Sequence, residues 1–176
     1  FGDAPAFISD YELLETQVLT SSQSSVTFSS LGTYAADYKH LQLRVTVRGA
    51  GSYGSLRSQL VFNGTASGYA SHELTGNGSS VGSDKYTSEA FARPGRLPGN
   101  TATSGSFAAQ VIDILDPFNS SKNTTIRTLG GSTGYNYVYL TSAFWNNSAS
   151  VTSIAYSLEA GSLIAGSRFS LYGVKG

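Results

Sequence analysis

Cysteine and methionine are both absent from the 176 residues. Without cysteine there are no disulfides, no thiolate metal ligands and no cysteine nucleophile. Without either sulfur residue, the most readily oxidised side chains are also missing. Charge is scarce: Asp, Glu, Lys and Arg make up 12% of the chain, with 11 acidic against 11 basic residues, where a soluble domain usually has about 25%. With no excess of either sign, the composition gives no drive toward nucleic acid or an anionic membrane surface. No apolar run approaches the ~20 residues of a membrane-spanning helix, and no charged-then-apolar leader is present. A chain that begins FGDAPAF, with no methionine, is expected to lack the first residues of its translation product. What remains in abundance is Ser, Thr, Asn, Gly and Tyr. A surface of that kind costs little to desolvate against another protein or a sugar.

The dominant period is two. In HLQLRVTVRG, Leu41, Leu43, Val45 and Val47 share one face, and His40, Gln42, Arg44, Thr46 and Arg48 share the other, the alternation of a strand with one buried side. Comparable runs occupy 11–19, 24–31, 56–64, 106–115, 123–131, 135–145, 150–159 and 167–174. Turn-forming stretches such as GAGSYGS, DPFNSSKN and GGSTG separate them. The expected architecture is all-β: an antiparallel sandwich or barrel formed by a single domain over 11–176, preceded by an N-terminal arm over 1–10. One long irregular loop is expected around 75–105, glycine-rich and carrying Pro94 and Pro98, with room for a short strand over 85–93. Such a connection inside a compact domain commonly serves as a functional or contact segment.

Catalytic patterns are sparse. His40 and His72 fall on different strands, with no metal-ligand or catalytic spacing around them, and no GxSxG elbow occurs. The carboxylate pairs Asp113/Asp116 and Glu12/Glu15 are each three apart, which places their members on opposite faces of a regular strand. Asp116 precedes Pro117 and reads as a strand-ending turn. No calcium loop or phosphate-binding glycine loop is present. The expectation is a protein that is not an enzyme and takes no cofactor or metal. Five Asn-x-Ser/Thr sequons, at Asn63, Asn77, Asn119, Asn123 and Asn146, follow from the turn preference of Asn in such a composition.

Aromatic residues carry the binding signal. Tyr135, Tyr137 and Tyr139 alternate along one face of YNYVYLTSAFW, and Trp145 has the same parity. The stripe admits three readings: core packing, an anchor for a subunit contact, or a stacking platform for sugar rings. Val138, Leu140 and Phe144 fill the opposite face, and one of the two must be the core. Tyr86, Phe91, Arg93 and Arg96, in the 75–105 stretch, complete the expected contact surface.

Five segments in order resemble a family: Tyr11–Thr16, Ser25–Phe28, Tyr38–Arg44, Phe62–Gly64 with Tyr69, and Gly166–Gly173. They are similar to the "Y-x-L-I/L-x-T", "S-V-T-F", "Y-x-x-L-x-L-R", "F-N-G/D" and "G-S-x-F-x-L-Y-G" segments of small β-rich virion structural proteins of tailed bacteriophages. The resemblance covers most of the chain apart from 75–105. It implies a jelly-roll-like β-sandwich over 11–176 and a non-enzymatic role in the virion: decoration or cementing of the capsid, or part of a head or tail fibre. It implies assembly in the host cytoplasm and partners among the major capsid or tail proteins. A homo-oligomer is expected, a trimer in this group, with no nucleic-acid or membrane partner. A carbohydrate-binding adhesin of a tail fibre and a polysaccharide depolymerase are the alternatives. The ending, RFSLYGV, is expected to be a strand that completes the sandwich.

Overall fold

The computed structural model describes residues 9–176. Residues 1–8, most of the expected N-terminal arm, lie outside the described residues. In chain order the strands are β1 (Tyr11–Val18), β2 (Ser25–Phe28), β3 (His40–Val47), β4 (Gly49–Ala50), β5 (Ser55–Phe62), β6 (Tyr69–Gly76) and β7 (Val81–Glu89). They continue with β8 (Ala92–Pro98), β9 (Ala108–Leu115), β10 (Thr124–Ser132), β11 (Tyr137–Trp145), β12 (Ile154–Leu158), β13 (Ser162–Leu163) and β14 (Arg168–Val174). An eight-stranded antiparallel sheet, ordered β1-β14-β3-β9-β10-β11-β6-β7, packs over a four-stranded sheet ordered β2-β12-β5-β8. A short β13-β4 ribbon closes one end. This is an all-β antiparallel sandwich, one of the two architectures that the period of two implies, and it is consistent with the jelly-roll-like form that the resemblance implies.

The inward face of β3 is the expected one: Leu41, Leu43, Val45 and Val47 are buried. Facing them across the sandwich are Val26, Phe28, Leu60, Phe62, Ile154 and Tyr156. Burial of such side chains contributes roughly 1.5–3 kcal/mol each, which is why alternation dictates the layer. The final strand, β14, is an interior strand, hydrogen-bonded to β1 on one side and β3 on the other. Phe169 and Leu171 are fully buried there.

The expected irregular loop at 75–105 is corrected. Two strands lie within it: β7 pairs with β6 at the edge of the large sheet, and β8 pairs with β5 at the edge of the small one. The proposed strand over 85–93 spans the end of β7 and the start of β8. Irregular chain remains mainly at 99–107, where Arg48 organises it. Its guanidinium donates to the carbonyls of Gly99 (2.8 Å), Ala102 (3.2 Å), Thr103 (2.7 Å) and Ser106 (2.9 Å). Arg48 was placed on the polar face by alternation, yet it is buried, because the loop folds over it.

The family-like segments mark structural contacts. Tyr38 lies flat against Gly173, where an added Cβ would meet the ring at 2.5 Å. The Tyr69 hydroxyl accepts the Phe62 N–H at 2.8 Å, and its ring stacks on Trp145. Asn63 adopts φ +53°, and its Oδ1 accepts the N–H groups of Thr152 and Ser153. Asn77 and Asn119 likewise cap their own turns through Oδ1, as the turn preference of Asn implies.

Buried tyrosines give the fold an alkaline limit. Burial raises Tyr69 to about 12 from its ordinary value of 10.0, although the Phe62 N–H pulls the other way. Burial also pushes Tyr139 and Tyr156 well upward. Above pH 10 the unfolded chain releases protons that the native state retains, so stability is full below 10 and falls as pH rises toward the folded value. Tyrosinate absorbance is expected to rise in two phases, an early one from exposed rings and a late one coincident with loss of the β-sheet circular dichroism signal. A single phase near pH 10 with structure intact would contradict this account.

Candidate functional site

The tyrosine strand faces the other way from the contact surface proposed for it. Tyr139 and Trp145 are 2% and 1% exposed and belong to the core. The Tyr139 hydroxyl donates to the Arg96 carbonyl at 3.0 Å, and its ring rests over Gly95 and Gly130. Tyr135 lies outside the strand, in the 3-10 turn Thr133–Tyr135, and stacks on Tyr137 with ring centroids 5.3 Å apart. Of the stripe, then, Tyr139 and Trp145 are corrected to core residues, and Tyr135 and Tyr137 form a half-exposed pair at its end.

The residues of the 75–105 stretch are brought together by β7 and β8. Arg93 packs over the rings of Tyr86 (4.4 Å) and Phe91 (4.8 Å) and pairs with Glu89 at 2.7 Å. Its side chain is 8% exposed, so Arg93 is a buried strut. Arg96 donates to Glu73 at 2.9 Å and lies over Tyr137 at 5.3 Å. Burial lowers its basicity, but the Glu73 hydrogen bond and charge outweigh that and hold it above its ordinary value. These interactions join the two sheets at the β7–β8 side.

The remaining carboxylates and histidines are held in similar structural contacts. Asp113 accepts from Arg127 Nη2 (2.7 Å) and Gln42 Nε2 (2.8 Å). Asp116, at φ +52°, is in a turn and pairs with Lys122. A bulge between Leu13 and Glu15 places Glu12 and Glu15 on the same side of β1, against the expectation from regular alternation. Each is nevertheless occupied: Glu12 accepts the Tyr38 hydroxyl at 2.7 Å, and Glu15 accepts from Gln17 at 2.8 Å. The Glu12 hydrogen bond raises the Tyr38 phenol to about 12. His40 Nδ1 accepts the Asp116 N–H at 3.0 Å, and His72 is exposed beside Lys85 on a neighbouring strand. Among the described residues, no group of three or more His, Asp or Glu side chains is placed to hold a metal ion. Among the described residues, no helix is long and apolar enough to cross a membrane.

The surface that sequence reasoning missed is the outer face of the eight-stranded sheet. Register places Val111, Leu129, Leu140 and Leu74 side by side across β9, β10, β11 and β6. Val138 and Val81 extend this apolar patch on the next row, and on the other side the polar row Arg127, Ser142, His72 and Lys85 separates it from Phe144. Leu129, Leu74, Val138 and Val81 are each more than half exposed. The opposite half of the face, on β14 and β3, is basic and polar, with Arg44, Arg168, Thr46, Ser170 and Tyr172. Concavities of about 750, 500 and 450 Å3 open along the apolar half and one of about 280 Å3 along the basic half. The Val138/Leu140/Phe144 face opposite the tyrosines was its only signal in the sequence.

No family model matches the chain, and no curated protein matches it. Among solved structures it is similar to an exo-inulinase from Aspergillus awamori, at 10% sequence identity and a TM-score of 0.46, over 93% of this chain and 29% of the enzyme. The chain thus spans less than a third of that enzyme's length. A likeness at this level bears on neither activity nor substrate.

Proposed function

We propose that the chain is a non-catalytic virion structural protein that docks the apolar half of its outer sheet face onto another protein of the particle. The observation that carries this reading is the row Val111, Leu129, Leu140 and Leu74, exposed in the middle of an uncovered sheet. Contiguous exposed apolar surface on a low-charge protein marks a contact site. Eight strands of this length present a face of about 900 Å2, so its apolar half offers about 450 Å2, a small contact beside the ~800 Å2 per partner of a standard interface and one that repetition over several copies would strengthen. The same face carries four cations, Arg44, Arg127, Arg168 and Lys85, against the single carboxylate of Asp113. Arg44 and Arg168 lie in the basic half and Arg127 is paired with Asp113, so the occupant of the apolar half is selected by complementary apolar surface rather than by charge. Resemblance to phage virion proteins supplies its class, a major capsid or tail protein, and a trimer as the form in which the chain docks.

The test is binding of the purified protein to particles assembled without it. Leu129→Lys combined with Leu140→Glu, an opposite-charge pair at directly opposed positions of adjacent strands, is expected to leave the β-sheet circular dichroism unchanged with a stability loss of about 1 kcal/mol or less, and to abolish particle binding. A wild-type protein that stays monomeric and does not bind such particles would overturn the proposal, as would full binding by the double variant.

A further inference from the structure

The basic half of the outer face contains a site of its own. Arg44 on β3 and Arg168 on β14 project on the same side, because Arg168 pairs with Thr46 and Arg44 pairs with Ser170. That register makes the two arginines diagonal neighbours, whose side chains are long enough to reach a common ligand. Arg44 is held in place: its guanidinium lies 4.5 Å from the Tyr172 ring centroid and 5.7 Å from that of Tyr11, and Nε donates to Gln42 Oε1 at 2.8 Å. Among the described residues, neither Arg44 nor Arg168 takes part in an ion pair. The nearest carboxylate on this face, Asp113, is engaged by Arg127 and Gln42. Between the arginines lies a concavity of about 280 Å3, whose lining includes the hydroxyl residues Thr46 and Ser170 and the apolar residue Val111.

From this arrangement we infer that the concavity binds a carboxylate-bearing sugar ring, a uronic-acid residue of an acidic polysaccharide. A preorganised guanidinium fits a carboxylate through two parallel hydrogen bonds. The second arginine balances the charge, the exposed Thr46 offers a hydroxyl partner to a ring hydroxyl, and Val111 meets a C–H face, while Ser170, nearly buried and hydrogen-bonded to Thr16 at 3.0 Å, lines the floor. An acidic protein side chain would use the arginines and leave Thr46 and Val111 unused. The site shares Val111 with the apolar row but none of its other members, and titration of the free protein is a separate measurement from particle binding, so either can fail without the other.

Isothermal titration with three probes tests it: a glucuronic-acid tetrasaccharide, the matching neutral glucose tetrasaccharide, and inorganic phosphate at equal ionic strength. Only the acidic tetrasaccharide is expected to bind. Arg44→Gln and Arg168→Gln should each weaken it by about tenfold or more, the size of a lost charge-assisted hydrogen bond. Arg44→Lys, which keeps the charge without the paired geometry, should fall between. Lys122→Gln makes the same charge change away from the concavity and should bind as wild type. The inference is overturned by absence of binding, by equal binding of the neutral sugar or phosphate, or by full affinity in both arginine-to-glutamine variants.

Discussion

Replacing Arg48 with methionine is expected to destabilise the protein by on the order of 3 kcal/mol, read as a lower denaturant midpoint at unchanged slope. Arg48 is buried, and its guanidinium serves the carbonyls of Gly99, Ala102, Thr103 and Ser106. A methionine of similar length fills the space but donates nothing, so the carbonyls of Ala102 and Ser106 lose their donor, while those of Gly99 and Thr103 keep the N–H groups of Ala102 and Ser106. Desolvated acceptors without a donor cost more than the net worth of the bonds themselves. Arg48→Lys keeps the charge but cannot present two Nη groups in a fixed plane, and should recover part of the loss. The loop should also become the first site of limited proteolysis in Arg48→Met. A midpoint within experimental error of wild type, with the loop still protected, would show that water replaces the guanidinium at little cost.

The second large effect is expected at Gly95, where alanine should cost on the order of 4 kcal/mol through overpacking and backbone strain together. Gly95 has φ +140°, a conformation side chains rarely adopt, and its ideal Cβ would overlap Cε2 and Cζ of Tyr139. On the neighbouring strand Gly130 meets the same ring, so Tyr139 occupies a slot made by two glycines. The steric part of the cost depends on the ring and the strain part does not. A double-mutant cycle with Tyr139→Leu therefore separates them. Gly95→Ala should cost clearly less in the Tyr139→Leu background, and strictly additive free energies would refute the slot.

Much of the sandwich was legible because each strand with one buried side must alternate. Leu41 to Val47, Ala108 to Ile114 and Phe169 to Leu171 show this directly. The strands that escaped notice lacked that signature for physical reasons. β7 is an edge strand with Gly82, Ser83 and Asp84 exposed, so no apolar period exists to read. β8 carries Pro94, Gly95 and Pro98, which argue against a strand anywhere but an edge, and it occupies the edge beside β5. In β11 the period was clear but its direction was not, since both faces are rich in apolar or aromatic atoms. The tyrosine side turned inward because Tyr139 finds a carbonyl partner there. The candidate surface was harder still to foresee. Val111, Leu129, Leu140 and Leu74 come from four separate segments, and only the register of three ladders makes them one row.

The position of β14 bears on how the protein is made. Its seven residues sit between β1 and β3, so a nascent chain stopped before residue 168 has its earliest strand with nothing to pair against. The large sheet cannot close until Arg168–Val174 is available to insert between β1 and β3, two strands that precede it by more than 100 residues. Closing so long a loop before any pairing is gained makes folding slow, and the open seam between β1 and β3 is where chaperones would be expected to bind.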